Sequence, residues 1–163
     1  MQSSVFKRIL LASDHAGVEY KAYVMSFLEA RLDSFGLDSL IDVGAFNPNI
    51  RVDYPDYANF LVRSIKDEET AGILVCARGI GMNIAANRYK HIRAALCSDI
   101  RSAFFSRSHS NANVLVLASE ADHSKETTNE ILKNFLITNF QGGRYQTRLE
   151  KLNNFSQDFI DRF

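Results

Sequence analysis

Five short apolar runs recur along this chain, and each is followed by a segment with helical spacing. That alternation narrows the possible folds more than any other feature. The runs are Ile9–Ser13, Ser39–Val43, Ala71–Val75, Ile92–Cys97 and Val114–Leu117. They lack the polar alternation of a half-buried strand, so both faces must be covered. Strands alternating with helices give a parallel sheet with helices on both sides. The spacing therefore predicts a doubly wound, three-layer α/β/α sandwich built on a five-stranded parallel sheet.

The intervening segments read as helices. From Val18 to about Asp33 the residues Tyr20, Val24, Phe27, Leu28, Ala30 and Leu32 recur at mostly helical spacing, and Gly36 marks the exit. Pro55, placed for a first turn, opens a helix reaching about Lys66. Ile80 to Asn87 is a third helix, and Asp99 caps a fourth that ends near Ser108. A fifth runs from about Ser124 to Phe140 before Gly142-Gly143 breaks it. The tail 145–163 carries Leu149, Leu152, Phe155, Phe159 and Ile160 at helical spacing. It comes after the sheet is complete, so it is expected to be an extra C-terminal helix packing on a partner subunit. The whole chain, 1–163, reads as one domain.

Charge and composition exclude several roles. Nineteen basic and nineteen acidic residues give a formal net charge of zero. There is thus no global field for nucleic acid and no polybasic membrane patch. No apolar stretch approaches the roughly 20 residues of a membrane span. The N-terminus has no signal-peptide organisation. Two cysteines are too few for a disulfide framework, which suggests a reduced, cytoplasmic protein. The four histidines lack metal-ligand spacing, so neither a metal nor any other cofactor is expected.

In open α/β sheets ligands bind outside the carboxyl ends of the strands. Those ends carry Ser13-Asp14-His15, Asp42 and Gly44, Cys76 to Gly81, Cys97-Ser98-Asp99 and Ala118-Ser119-Glu120. Among them, Cys76 ends an apolar run and leads into a loop with Gly79 and Gly81. A helix start there offers backbone N–H groups to an anion and lowers a thiol's pKa. The alternative is a buried small hydrophobe, the usual fate of a free cysteine; Cys97, without a glycine loop, is read as core. The loop is neither a complete Gly-x-Gly-x-x-Gly, since position 84 is Ile, nor a P-loop. Asp14 either transfers protons or caps the next helix. His109 follows a helix and precedes the fifth strand, and His91 and His123 are read as solvent residues. Arg144 and Arg148 stand four residues apart after Gly142-Gly143, spaced to grip a phosphate from one helix face.

These pieces together resemble ribose-5-phosphate isomerase type B and its relative galactose-6-phosphate isomerase. The resemblance is carried by Ala12-Ser-Asp-His-Ala-Gly17, Asp53-Tyr-Pro-Asp-Tyr-Ala58, Gly72-Ile-Leu-Val-Cys76 with Gly79-Ile-Gly81, Ile84-Ala-Ala-Asn87 and Arg93-Ala-Ala. It continues through Ser106-Arg-Ser-His109, Asn113-Val-Leu and Gly142-Gly-Arg144 with Arg148, in family order over nearly the whole chain. It implies a flavodoxin-like, Rossmann-like sandwich that forms a homodimer or tetramer with each active site at a subunit interface. It implies interconversion of ribose 5-phosphate and ribulose 5-phosphate through an enediolate. By position, Cys76 would be the base, and Asp14 and His109 would assist ring opening, His109 from the neighbouring subunit. His15, Arg144 and Arg148 would contact the phosphate, and Tyr54 and Asn111 would line the sugar. The backbone from Ala77 to Met82, including Gly79 and Gly81, would hold the enediolate charge.

The chain departs from that family in three places. Ala77-Arg78 stands where the family has Gly-Thr or Gly-Ser, Ser110 follows His109 in place of Asn, and Glu120 replaces an arginine after the fifth strand. Glu120 would then present a repulsive charge, and Arg78 is expected to compensate by reaching the phosphate or the enediolate. The alternatives are an isomerase of allose or galactose 6-phosphate, a catalytically silent sugar-phosphate-binding protein, and a Cys-His hydrolase. The first changes only pocket size; the second predicts binding without ketose formation; the third predicts a covalent acyl-enzyme.

Overall fold

The alternation is realised as a five-stranded, all-parallel sheet in a computed structural model that describes residues 3–154. The strands are β1 (Arg8–Ser13), β2 (Ser39–Asp42), β3 (Thr70–Cys76), β4 (Ala94–Leu96) and β5 (Val114–Ala118). Their order is β2-β1-β3-β5-β4. The flavodoxin order would place β4 beside β3. Here β5, apolar throughout, takes that inner place, and β4, only three residues long, lies at the edge.

The helices are α1 (Val18–Glu29), α2 (Leu32–Phe35), α3 (Tyr54–Ser64), α4 (Ile80–Ala86), α5 (Ile100–Ser108), α6 (Lys125–Ile137) and α7 (Arg144–Asn153). The expected single helix from Val18 to Asp33 is two: α1 stops at Glu29, and α2 is one turn closed by Gly36 at φ 67°. The ends of the others follow local chemistry. Ser124 and Asp99 cap α6 and α5, Asp99 through a reciprocal capping box with Ser102. Pro55 sits in the first turn of α3. Of the tail, α7 covers the first part; the helical spacing through Phe155, Phe159 and Ile160 lies outside the described residues.

Two cores flank the sheet, and the two-residue period of the strands divides them. Ile9, Leu11, Ile73, Val75, Leu115 and Leu117 face α1, α5 and α6, where they meet Val24, Leu28, Leu132 and Phe135. Leu10, Ala12, Leu74, Cys76, Val114 and Val116 face α3 and α4, where they meet Leu61, Val62, Met82 and Ala86. Cys97 joins the first core at 1% exposure, as a small hydrophobe. Cys76 belongs to the second face, which points it at the start of α4.

Candidate active site

The carboxyl edge is built around the last residue of β3. Cys76 is 7% exposed, and its Sγ accepts the Gly79 N–H at 3.1 Å. Gly79 holds φ 72°, a left-handed conformation that turns the loop into α4 and aims that N–H at the sulfur. Gly81 has a different need: a Cβ there would stand 2.7 Å from Cζ of Tyr54. The tyrosine ring lies against the first turn of α4, the helix that the thiol's loop leads into. The Asp14 N–H donates to the Val75 carbonyl at 3.3 Å, so the β1 exit lies beside the β3 exit. Asp14 Oδ1 accepts the Gly17 N–H at 3.0 Å, which realises the capping reading and leaves Oδ2 for other work.

The thiol's electrostatics differ from the expectation. A helix start should lower its pKa, and the N–H groups of Gly79, Met82 and Arg78 do pull it down. Burial outweighs them, with the Asp14 carboxylate adding to it, and the thiol is pushed up. The physical reason is the loss of water around a sulfur that is 7% exposed, which disfavours the charged form more than the few N–H groups at the start of α4 favour it.

His15 opens the cavity next to this centre. Its Nδ1 accepts the Val52 N–H at 3.3 Å, so a neutral ring carries its proton on Nε2. With Arg51, Asp53 and Tyr57 it lines a cavity of about 710 Å³ between the β1 exit and α3. Arg51 is a functional candidate that sequence reasoning missed. Arg51 sits in the polar loop before α3, and nothing in its spacing marked it. The wall behind is held by another unforeseen pair: Lys21 of α1, 2% exposed, binds Asp42 and donates to the Ala45 carbonyl at 2.7 Å. Asp42, a candidate at its strand end, is thus committed to structure.

Arg78 and Glu120 leave the ends of β3 and β5 and meet as an ion pair, Nη2 to Oε2 at 3.6 Å. Glu120 is therefore not an isolated repulsive charge; Arg78 balances it. Ala77 supplies backbone to the same junction, its carbonyl accepting the Glu120 N–H at 3.0 Å.

The remaining candidates lie at the opposite edge. Helix α5 starts beyond the carboxyl end of β4 and runs back, so His109 at its end reaches the amino edge of the sheet. Helix α6 runs back likewise, and the Gln141 N–H donates to the Ser108 carbonyl at 3.0 Å. The His109 ring stacks on Tyr145 with centroids 4.0 Å apart, and the Arg144 and Arg148 guanidiniums lie 4.9 and 5.5 Å from that same ring. His109, Tyr145 and Arg148 line a cavity of about 660 Å³. Within one chain, therefore, Arg144 and Arg148 stand with His109 and apart from His15. Asn111 turns elsewhere: its Oδ1 accepts from Arg107 at 2.9 Å and its carbonyl from Arg93 at 2.7 Å. Arg107, at 4% exposure, has its pKa lowered to about 10 by burial and by Arg93, and it braces this turn. Two histidines read as solvent residues differ from each other: His91 is exposed, but His123 lies 3.3 Å from the Tyr20 hydroxyl and 3.1 Å from Thr128 Oγ1.

Known proteins share this arrangement of elements. The ribose/galactose isomerase family model matches residues 9–152. The structure of ribose 5-phosphate isomerase B from Anaplasma phagocytophilum superposes with a TM-score of 0.82 at 44% identity, covering 92% of this chain and 99% of that one. The ribose 5-phosphate isomerase of Thermotoga maritima gives 0.82 at 44% identity over 90% and 97%. Ribose-5-phosphate isomerase B of Escherichia coli is 35% identical over 147 residues, which is 90% of this chain and 94% of that protein.

Proposed function

The chain belongs to the ribose/galactose isomerase family, and from that premise we propose that it interconverts ribose 5-phosphate and ribulose 5-phosphate, with Cys76 as the base. The observation that carries the chemistry is the sulfur at the end of β3, 3.1 Å from the Gly79 nitrogen, with the β1 exit that bears Asp14 hydrogen-bonded to β3 beside it. A thiolate there takes the proton from C2 of the open-chain aldose. The C–H electron pair becomes the C1–C2 double bond, and charge gathers on O1. Backbone N–H groups from Ala77 to Met82 stabilise that charge; those in the first turn of a helix have no intrahelical acceptor. The same thiol returns the proton to C1 while the C2 hydroxyl proton passes to O1, leaving the ketose. Asp14 and the partner subunit's His109 assist ring opening, Tyr54 lines the sugar, and His15 holds the phosphate. Non-reacting phosphate contacts make the proton transfer effectively intramolecular.

The same reading requires a second copy of the chain. One protomer holds the thiol at one edge and the His109–Arg144–Arg148 group at the other. A two-fold dimer lets one subunit's amino edge complete its partner's carboxyl edge. A fitting surface exists: Ile80, Ile84, Leu96, Ile100, Phe104 and Phe105 on α4, β4 and α5 are between 36% and 57% exposed. These side chains stand on adjoining elements, and exposed apolar clusters of this kind mark interaction surfaces; β4 is an edge strand that gains from being covered. Both described thiols are free, which suits a reducing cytoplasm, and no described helix is long and apolar enough to cross a membrane.

The direct test supplies purified protein with ribose 5-phosphate, and in parallel with allose 6-phosphate and galactose 6-phosphate, and follows ketose formation. Ribulose 5-phosphate should form fastest. Preference for a six-carbon substrate would reassign the sugar, and binding without any ketose would reduce the protein to a sugar-phosphate receptor.

A further inference from the structure

We infer that Glu120 holds Arg78 as a parked counter-ion over the Cys76 loop, and that an entering phosphate monoester draws Arg78 away from it, so that the pair sets how strongly phosphorylated substrates bind. This deepens the isomerase reading and rests on it for the identity of the sugar. The backbone under the pair is pinned: the Ser119 N–H donates to the Cys76 carbonyl at 2.9 Å and the Glu120 N–H to the Ala77 carbonyl at 3.0 Å. The side chains above are free to move, being 80% exposed for Arg78 and 58% for Glu120. Their single contact at 3.6 Å is longer than a hydrogen bond. An exposed contact of that kind contributes little and is easily exchanged.

The strand exit that bears Glu120 touches the one that bears His15, the proposed phosphate ligand. Ser119 Oγ lies 3.4 Å from the Ala16 carbonyl, one residue after His15, so the β5 exit touches the β1 exit there. A phosphate monoester carries nearly two negative charges at neutral pH and three acceptor oxygens. It offers a guanidinium a bidentate seat with more charge than a carboxylate does. The two side chains then act with opposite signs. Arg78 strengthens phosphate binding, and Glu120 weakens it by competing for Arg78. Were Glu120 present only to orient Arg78, removing either residue would weaken binding.

The sign of the Glu120 effect decides the matter. Full-length wild type, Glu120→Gln, Arg78→Gln and the double variant are titrated calorimetrically with inorganic phosphate, and KM and kcat for ribose 5-phosphate are measured in parallel. Glu120→Gln should tighten phosphate and lower KM about two- to fivefold, the range an exposed ion pair commands. Arg78→Gln should do the reverse, and the double variant should resemble Arg78→Gln. Weaker or unchanged phosphate binding in Glu120→Gln overturns the proposal. So does a double variant that keeps the gain, because Glu120 would then act without Arg78. If wild type makes no ketose from ribose 5-phosphate, the isomerase reading fails while the phosphate titrations still decide the parking.

Discussion

In the proposed reading, the two edges of the sheet carry opposite halves of a site. At the carboxyl edge a thiol, a carboxylate and a row of backbone N–H groups surround the end of β3. At the amino edge there are cations and a stacked imidazole around Tyr145, with no thiol or carboxylate among the lining residues of that cavity. The first half can move a proton but has few fixed cations for a dianion. The second can hold a phosphate but has nothing to do to it. A fold whose strands are parallel and whose helices all return must place strand-end and helix-end residues at opposite edges. The same chain can supply both halves to one site only through a second copy.

The comparison is most severely tested at the thiol. Cys76→Ala should lower kcat on the order of a thousandfold, within the span of general-base contributions, while sugar-phosphate binding measured by calorimetry persists. Retained turnover would move the base elsewhere. At the other edge Arg144→Ala should raise KM with a penalty of about 1.5–3 kcal/mol for a lost charged hydrogen bond; an unmoved KM would detach that edge from the phosphate.

The thiol's electrostatics give a third test. Burial holds the Cys76 pKa above its ordinary value, and in the proposed mechanism the charged form is the base. Below that pKa, kcat/KM should rise about tenfold per pH unit. A profile flat across neutrality would mean that the assembled site, with partner cations, has already ionised the sulfur.

Mixing tests whether the edges meet between subunits. Equal amounts of Cys76→Ala and His109→Ala chains, unfolded and refolded together, should recover about a quarter of wild-type activity, since half the two-fold dimers then carry one intact site. No recovery would mean that both residues serve the same subunit's site or none. The smallest effect belongs to a residue at the carboxyl edge that only caps. Asp99→Ala should remove about 1 kcal/mol of stability by loss of the capping box, or about 2–4 °C in Tm for a chain of this size. A larger loss of kcat than of stability would give Asp99 a part in the chemistry.

Much of the molecule was legible in its residues. Apolar runs of strand length placed β1, β3 and β5 within a residue or two, because burial on both faces leaves little else for such runs to do. Ser124, Asp99 and Pro55 marked helix starts because capping is local. The break between α1 and α2 escaped notice, since Ala30 and Leu32 continue the apolar period across it. Lys21 escaped too: a lysine inside a helical pattern reads as solvated, and only its partner Asp42, 21 residues away, makes burial tolerable. Arg78 and Glu120 were each visible as departures, but their pairing depends on β5 lying beside β3.

The residues alone determined that this chain makes a parallel sheet between two helical layers and delivers Cys76 to a glycine loop at a strand end, because hydrophobic period and turn chemistry act over a few neighbours. Only the tertiary structure decided that β5 takes the inner position, that His109 and the paired arginines land on the far edge, and that burial overrides the helix start at the sulfur. Those outcomes depend on which surfaces cover one another, and long-range packing is not written in the local spacing of residues.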